Sequence, residues 1–212
     1  MKDWKKIPIP DLMQKHCKLD HRGLPVPFIV LIDQDNNSHF KVNDSEKTHD
    51  CVMHDKCSIC GTVMNDDRWM IGGPQSAYHI YGCYIDTPVH YQCGKYALQV
   101  CPYLAYSGYV ANKTDIEKLQ KQIAGGDSLL LDNPTVDQNR VPLFVFGKTS
   151  GIRYSMNFLV SSMHVGKIYP NKPYLETEYW NNGEQLDSTV AVNIIIDDFA
   201  KKGLKTTDYL IQ

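Results

Sequence analysis

Apolar runs of strand length alternate with segments of helical pattern along this chain, which predicts a mixed α+β fold. Near the N-terminus, residues 11–16 predict a short helical turn. Residues 26–32 and 38–42 are predicted to pair as a β-hairpin, because a polar, turn-forming segment separates them. Asp44 or Ser45 can cap the predicted helix that follows and leads into the central stretch.

The central stretch predicts a treble-clef-like zinc finger, in which a knuckle, a hairpin and a helix surround one metal ion. Residues 68–71 and 77–81 predict the two strands of the hairpin, with a Gly-Gly-Pro turn between them. Thr87 can cap the following helix, Pro88 suits its first turn, and Pro102 marks its end.

Beyond the finger, the pattern divides the chain into two lobes. A capping box at Thr114 begins a further predicted helix, and the polar residues 126–140 form a predicted linker. Residues 1–125 are therefore assigned to an N-terminal lobe that holds the hairpin and the finger. Residues 141–212 are assigned to a strand-rich lobe with a C-terminal helix.

Strand patterns dominate the second lobe. Three segments predict strands, namely residues 141–146, 151–161 and 174–180. Asn182-Gly183 is a strong signal for a tight hairpin turn. Ser188 can cap the final helix, although the β-branched run at residues 190–196 leaves a strand as an alternative.

Composition and charge narrow the class of protein. The chain has 212 residues, 42% of them hydrophobic, which is enough for a sizeable core. It has no apolar run of about 18 residues and no signal-type segment, so we expect a cytoplasmic protein without membrane association. With 22 basic and 24 acidic residues, it lacks the positive excess typical of nucleic-acid-binding proteins. Its seven cysteines favour reduced thiolates over a disulfide framework.

Two pairs of residues have the spacing of zinc ligands. Cys57 and Cys60 are separated by two residues, as in a zinc knuckle, and His90 and Cys93 repeat that gap at the predicted helix start. Helix positions three apart lie on one face, so both members of the second pair can reach one ion. We predict that these four side chains bind one zinc ion.

A zinc ion with four protein ligands has no open position for water or substrate, so this one is predicted to be structural. Cys83 lies between the two pairs and is the alternative to His90 as a ligand. A second metal site at His49, Cys51 and His54 is not favoured, because only the last two share a helical face.

A resemblance to a known family rests on short segments between residues 20 and 105. These are residues 21–28, 57–61, 71–74, 88–93 and 101–104. The segments resemble a family of zinc-binding proteins of uncharacterised activity, encoded in bacterial and bacteriophage genomes. The resemblance implies a protein carried by a phage or another mobile element, and it supplies no established activity.

These features favour a non-enzymatic protein that acts by binding. A closed zinc site suits a zinc-stabilised interaction protein, and so does a near-neutral chain with 13 tyrosines and 3 tryptophans, because aromatic residues are enriched at interfaces. Together with the resemblance, this predicts a protein partner, a host macromolecule such as a host or defence protein that the chain inhibits.

Two other functions are alternatives. A His-metal (HNH-like) treble-clef nuclease would use a hairpin histidine to activate water, and His79 lies in that region with Asp66, Asp67 and Arg68 nearby. The acidic-His pair of such a site is missing. A small-ligand or nucleotide-binding protein would instead use a pocket in the second lobe, lined by Tyr169, Tyr174, Tyr179 and Trp180.

Overall fold

A computed structural model describes residues 4–105, 141–159, 162–205, 207 and 209. Its strands are β1 (Val30–Ile32), β2 (Ser38–Asn43), β3 (Trp69–Gly72), β4 (Phe144–Lys148), β5 (Ile152–Leu159), β6 (Ser162–Pro170), β7 (Glu176–Asn181) and β8 (Glu184–Leu186). Its α-helices are α1 (Asp11–His16), α2 (Ser45–Met53), α3 (Pro74–Tyr78), α4 (Tyr91–Val100), α5 (Pro102–Ala105) and α6 (Ser188–Lys201). The predicted α+β class is confirmed.

A four-stranded antiparallel sheet in the order β3-β4-β7-β8 forms the centre of the fold. β3 pairs with β4 from Trp69 opposite Lys148 to Gly72 opposite Val145. The sheet therefore joins strands from both sides of residues 126–140. Those residues, like the helix predicted from Thr114, lie outside the described part of the chain, so the linker stays a prediction.

Side chains of β4 alternate between two cores, one on each face of the sheet. Phe144 and Phe146 pack with Trp69 and Trp180 against α4 and the predicted zinc-binding segment. Leu143 and Val145 face the other way. They pack with α3, α6 and Tyr179, a group whose buried members are Ala77, Tyr78, Leu143, Val145, Tyr179, Ala191, Ile195 and Phe199.

Local sequence signals account for several elements. The predicted hairpin is confirmed, although β1 begins only at Val30 and β2 continues to Asn43. Asp44 caps α2 by accepting from the backbone N–H groups of Glu46 and Lys47. Asn182 and Gly183 both have positive φ, 51° and 75°, in the two-residue turn between β7 and β8, as the sequence predicted.

The C-terminal helix is confirmed, with a different cap. The side chain of Asp187, not Ser188, accepts from the N–H groups of Thr189 and Val190. Residues 190–196 lie inside α6, so the strand alternative was wrong. Ala191, Ile195 and Phe199 are fully buried along one face of the helix, and this packing outweighs the β-branched propensity of the segment.

The hairpin predicted within the finger was wrong. Residues 69–72 form strand β3, but Pro74 begins the short helix α3 where a returning strand was expected. Pro74 suits the first helical turn, and β3 instead finds its partner in β4, far along the chain. The treble-clef architecture is therefore not confirmed, although the knuckle and the helix that carry the ligand pairs are present.

The remaining two-stranded sheet pairs β5 with β6. It contacts the centre of the fold through a small core of Val52, Met70, Tyr84 and Ile168. Tyr84 and Ile168 exchange two backbone hydrogen bonds of 2.8 and 2.9 Å. Within the described residues, no helix is both long and apolar enough to cross a membrane.

Replacing Gly94 with alanine tests the packing of α4 on the sheet. Alanine favours helices by about 1 kcal/mol over glycine, yet a Cβ here would lie 2.6 Å from Phe146 and 2.8 Å from Val89. Because Phe146 is itself fully buried, we expect the overpacking to prevail, with a net loss of about 1 kcal/mol or more in unfolding free energy. Urea denaturation of the metal-loaded protein measures this difference.

Gln92→Ala is the matched control, since Gln92 is an exposed residue of the same helix. We expect no loss of stability there. A Gly94→Ala protein that is more stable than wild type would show that α4 does not pack on Phe146 as described.

Candidate metal centre

The structure brings the four predicted ligands together. The ligand atoms of Cys57, Cys60, His90 and Cys93 all lie within 4.8 Å of one another, and all four residues are buried. Within the described residues, they are the one group of this kind. One pair precedes β3 in the sequence and the other follows it, so the cluster joins two separate segments of the chain.

The knuckle around Cys57 and Cys60 is formed by backbone hydrogen bonds. Cys57 donates its N–H to the Thr62 carbonyl at 2.8 Å, and Gly61 donates to the Cys57 carbonyl at 2.8 Å. Gly61 has a φ of +75°, and a Cβ there would lie 2.8 Å from the Phe28 ring. The predicted turn after Cys60 is thus present.

Backbone contacts hold the second ligand segment against the knuckle and β3. Ser58 donates its N–H to the Pro88 carbonyl at 3.1 Å, while Trp69 and Val89 exchange two hydrogen bonds of 2.9 Å. His90, the next residue, donates its N–H to the sulfur of Cys57 at 3.4 Å. These contacts place His90 beside the knuckle.

Helix α4 begins later than predicted. His90 is the residue before the first helical turn, and neither Thr87 nor Pro88 has the role expected of it. Instead, the Asp67 carboxylate accepts the Tyr91 N–H at 3.0 Å, as a cap supplied from 24 residues upstream. Cys93 lies in the first turn, and the predicted end of the helix before Pro102 is confirmed.

The two nitrogens of the His90 ring have different neighbours. Nδ1 lies 3.3 Å from the sulfur of Cys60, inside the cluster. Nε2 lies 3.2 Å from the Val63 carbonyl, which can only accept, so Nε2 carries the proton. A metal-binding histidine commonly donates its second N–H to a carbonyl in this way, leaving the other nitrogen free to ligate.

The remaining contacts of the cluster also suit thiolate ligands. The Thr62 hydroxyl lies 3.1 Å from the sulfur of Cys60, and a hydroxyl that donates to a thiolate stabilises its negative charge. Sequence reasoning missed Thr62 and Val63, and it considered Asp67 only for a nuclease site and not for the start of α4. The position of Thr62 next to the knuckle glycine could have identified it from the sequence. The contacts of Val63 and Asp67 depend on tertiary structure.

Without a metal ion, the four groups share charge and protons. Hydrogen bonds that the His90 imidazolium donates to the sulfurs of Cys57 and then Cys60 raise the pKa of His90 to about 10. Hydrogen bonds from Cys57 and Cys93 lower the pKa of Cys60 far below its ordinary value. The pKa of Cys93 is raised, chiefly through its hydrogen bonds with Cys57 and Cys60. The metal-free cluster therefore contains an imidazolium beside a thiolate.

The donor set fits a zinc ion. Tetrahedral zinc with Zn–S bonds of about 2.3 Å places neighbouring ligand atoms roughly 3.8 Å apart, within the spread of this cluster. Three sulfurs and one imidazole nitrogen are a common ligand set of structural zinc. The cluster therefore suits a metal ion such as zinc.

The other cysteines do not join the cluster. Cys83, the alternative ligand, is buried elsewhere, next to the Tyr84–Ile168 contact. The Cys17 thiol donates to the Ile59 carbonyl at 3.3 Å, and burial raises the pKa of this thiol to about 12. Cys51 is buried in α2, and burial likewise raises its thiol pKa to about 12.

The residues considered for a nuclease have other partners. Nδ1 of His79 accepts the Tyr81 N–H at 3.1 Å, and His79 does not belong to the cluster. Arg68 forms an ion pair with Asp55, its Nε donating at 2.7 Å. Asp67 accepts the backbone N–H of Tyr91 at the start of α4, as described above. Among the described residues, His79 therefore belongs to no group of potential metal ligands.

Of the four aromatic side chains considered for a ligand pocket, two line the same cleft. Tyr174 and Tyr179 line a cleft of about 290 Å³ beside the start of α6. Their hydroxyls are bonded to Tyr84 at 2.6 Å and to Tyr78 at 2.7 Å. Trp180 lies on the opposite face of the sheet, packed in the core against α4.

Comparison of the chain with protein-family models, with curated proteins and with solved structures gives no match. The resemblance to a phage-encoded family therefore stays a prediction from short sequence segments.

Metal binding to this cluster should release protons. Ligation requires a neutral Nδ1 on His90 and a thiolate at Cys93, and both groups carry a proton at neutral pH by the pKa directions above. We expect about two protons or more per zinc ion, measured by calorimetry of the metal-free protein in buffers of different ionisation enthalpy.

The interaction of the His90 imidazolium with the neighbouring sulfurs also makes the stability of the metal-free protein depend on pH. Its folded pKa is raised from 6.5 to about 10, so its stabilisation is complete below about pH 6.5 and is lost as the pH rises through about 10. Zinc affinity should change in the opposite sense and fall on acidification. Release of no protons on zinc binding would contradict the assignment.

Proposed function

We propose that this chain is a non-enzymatic binding protein whose interaction surface is held in shape by one structural zinc ion. The observation that carries this proposal is the buried Cys57-Cys60-His90-Cys93 cluster, with Nδ1 of His90 facing the sulfurs and Nε2 held by a carbonyl. Four protein ligands leave no open position, so the ion acts on the fold and not on a substrate.

The zinc ion fastens the knuckle to the start of α4. Three thiolates and a neutral imidazole around a dication give the site a net charge of about −1. Zinc binding to sites of this kind supplies about 10 kcal/mol or more of apparent free energy, which becomes folding free energy of the segments that it joins. Here those segments are the knuckle, the residues before α4, and the first turn of α4.

The partner we propose is a protein. Support comes from the near-neutral net charge of −2, which disfavours a phosphate backbone as the target. On the sequence resemblance, we further propose that the chain is encoded by a phage or mobile element and acts in the host cytoplasm on a host or defence protein.

Metal content tests the ligand assignment. Native mass spectrometry should find one zinc ion in the wild-type protein and none in Cys57→Ser, because loss of one thiolate leaves the ion with three ligands. Cys83→Ser removes a buried cysteine that lies outside the cluster, and it should retain the zinc ion. Stoichiometric zinc in Cys57→Ser would contradict the assignment.

Chelation tests the structural role. Hydrogen exchange of the metal-stripped protein should increase first in residues 57–64 and in α4, while α6 keeps its protection, because α6 packs on the other face of the sheet. Equal protection of the knuckle with and without zinc would mean that the ion does not hold this segment.

The binding function itself is tested on protein purified gently from the cells in which it acts. Native mass spectrometry should show a complex of defined stoichiometry with one other protein. A chain that is always recovered alone, or with an added nucleic-acid mass, would count against a protein partner.

A further inference from the structure

The cleft of about 290 Å³ beside the start of α6 lies on the face of the central sheet opposite the metal centre. Helix α3, the residues before β7, β7 itself and the start of α6 form its walls. We call it the tyrosine cleft, because Tyr78, Tyr174 and Tyr179 line it. Lys172 is the one basic residue among the described residues that line it, so the cleft combines one ammonium with several hydroxyls.

The Lys172 ammonium has more hydrogens than the chain has acceptors for them. Its Nζ donates to the backbone carbonyls of Ser76 at 3.0 Å and His79 at 2.8 Å, at the end of α3. An ammonium carries three hydrogens, so one of them remains. No carboxylate of the described residues pairs with Lys172, and burial lowers the pKa of its ammonium to about 8. The positive charge is therefore partly withdrawn from water and is not neutralised.

The tyrosine hydroxyls of the cleft also include unused donors. The hydroxyls of Tyr78 and Tyr179 lie 2.7 Å apart, and those of Tyr84 and Tyr174 lie 2.6 Å apart. In each pair one hydroxyl donates to the other, and the hydrogen of the second has no acceptor in the part of the chain that the structure describes. Tyr78 and Tyr179 are each only 5% exposed, and burial raises the pKa of Tyr78, so the pair stays protonated. A buried donor without an acceptor is costly, which favours an acceptor supplied from outside the chain.

The other polar groups around the cleft leave this positive charge in place. The carboxylate of Glu176, which lines the cleft, pairs with the Lys148 ammonium at 2.9 Å. Asp187 caps α6 through its side chain and is not among the lining residues. Ser188 lines the cleft at the N-terminal end of α6, where the helix dipole is positive. The cleft therefore presents hydrogen-bond donors and one unbalanced positive charge.

We propose that the tyrosine cleft binds a small monocarboxylate, whose carboxylate accepts hydrogen bonds from Lys172 and from the hydroxyl pair of Tyr78 and Tyr179. One unbalanced ammonium matches a single negative charge, and hydrogen bonds to a carboxylate are charge-assisted. Pro173 and Leu175 supply apolar wall for the body of the ligand, and a volume of about 290 Å³ suits a small molecule. This site goes beyond the proposed function, because it involves neither the zinc ion nor the protein partner.

The direct test is calorimetric titration of the full-length, zinc-loaded protein with benzoate and with butyrate, one aromatic and one aliphatic carboxylate. We expect saturable one-to-one binding of at least one of them, with a Kd of about 1 mM or tighter. The corresponding amide has the same shape without the charge, and it should bind at least about tenfold more weakly. Binding of neither carboxylate, equal binding of acid and amide, or tighter binding of inorganic phosphate would overturn the proposal.

Two variants test whether the carboxylate binds in this cleft. Lys172→Met removes the charge from a side chain of similar length, and we expect binding to weaken about tenfold or more. This variant also removes two hydrogen bonds at the end of α3, whereas Ser188→Glu leaves them in place. A glutamate in the first turn suits the helix, and its charge on the cleft wall repels an anion, so we expect a similar loss.

Each variant has a matched control outside the cleft lining. Lys201→Met removes the same charge from an exposed residue at the other end of α6. Thr189→Glu adds the same charge at the exposed residue directly after Ser188. Both should bind the carboxylate as the wild type does. If Ser188→Glu binds normally, or if Thr189→Glu weakens binding as much as Ser188→Glu, the proposal is wrong.

The hydroxyl pair gives a further expectation that depends on counting hydrogens. Tyr78→Phe alone leaves the Tyr179 hydroxyl with a hydrogen that it no longer shares, so one donor still remains and binding should persist. The double variant Tyr78→Phe/Tyr179→Phe removes both hydroxyls, and binding should weaken by about tenfold. Unchanged binding in the double variant would show that the hydroxyl pair does not bind the carboxylate and would contradict the proposal.

Discussion

Two ligand pairs from separate segments of the chain converge on one point, and this convergence fixes the geometry around it. Cys60 and His90 lie 30 positions apart in the chain, yet their side chains approach to 3.3 Å. The hydrogen bond from Ser58 to the Pro88 carbonyl and the paired bonds between Trp69 and Val89 hold the two segments in register. The start of α4 and the orientation of the His90 ring both follow from that alignment.

Local chemistry made much of this fold predictable. The ligand spacing, the cap at Asp44 and the Asn182-Gly183 turn depend on residues close together in the chain, and their sequence signals were sufficient. The cap of α4 was assigned to Thr87, the nearest suitable residue, whereas tertiary structure supplies Asp67 from a distance. Local reasoning identifies a good cap but cannot detect a competing one from elsewhere.

The same limit explains the error at residues 77–81. A strand followed by Gly-Gly-Pro suggested a hairpin, because adjacent strands usually pair. Residues 69–72 pair instead with β4, and the residues directly after β3 form helix α3. Ala77 and Tyr78 of α3 fill the core beneath α6. The site could thus be predicted at the level of its ligands, while its second layer, Val63 and Asp67, depends on pairings that no local pattern encodes.

The pairing of β3 with β4 has a consequence for the order in which the molecule is made. Cys93 leaves the ribosome 55 residues before Lys148, the last residue of β4, since 148 minus 93 is 55. At about 5–20 residues per second, on the order of ten seconds separate the two events. During that interval all four ligands exist, but β3 still lacks its partner strand β4. Phe146, which belongs to β4, does not yet pack against Gly94. A metal ion bound at that stage would organise a nascent chain, and the later strands would then assemble on a template already in place.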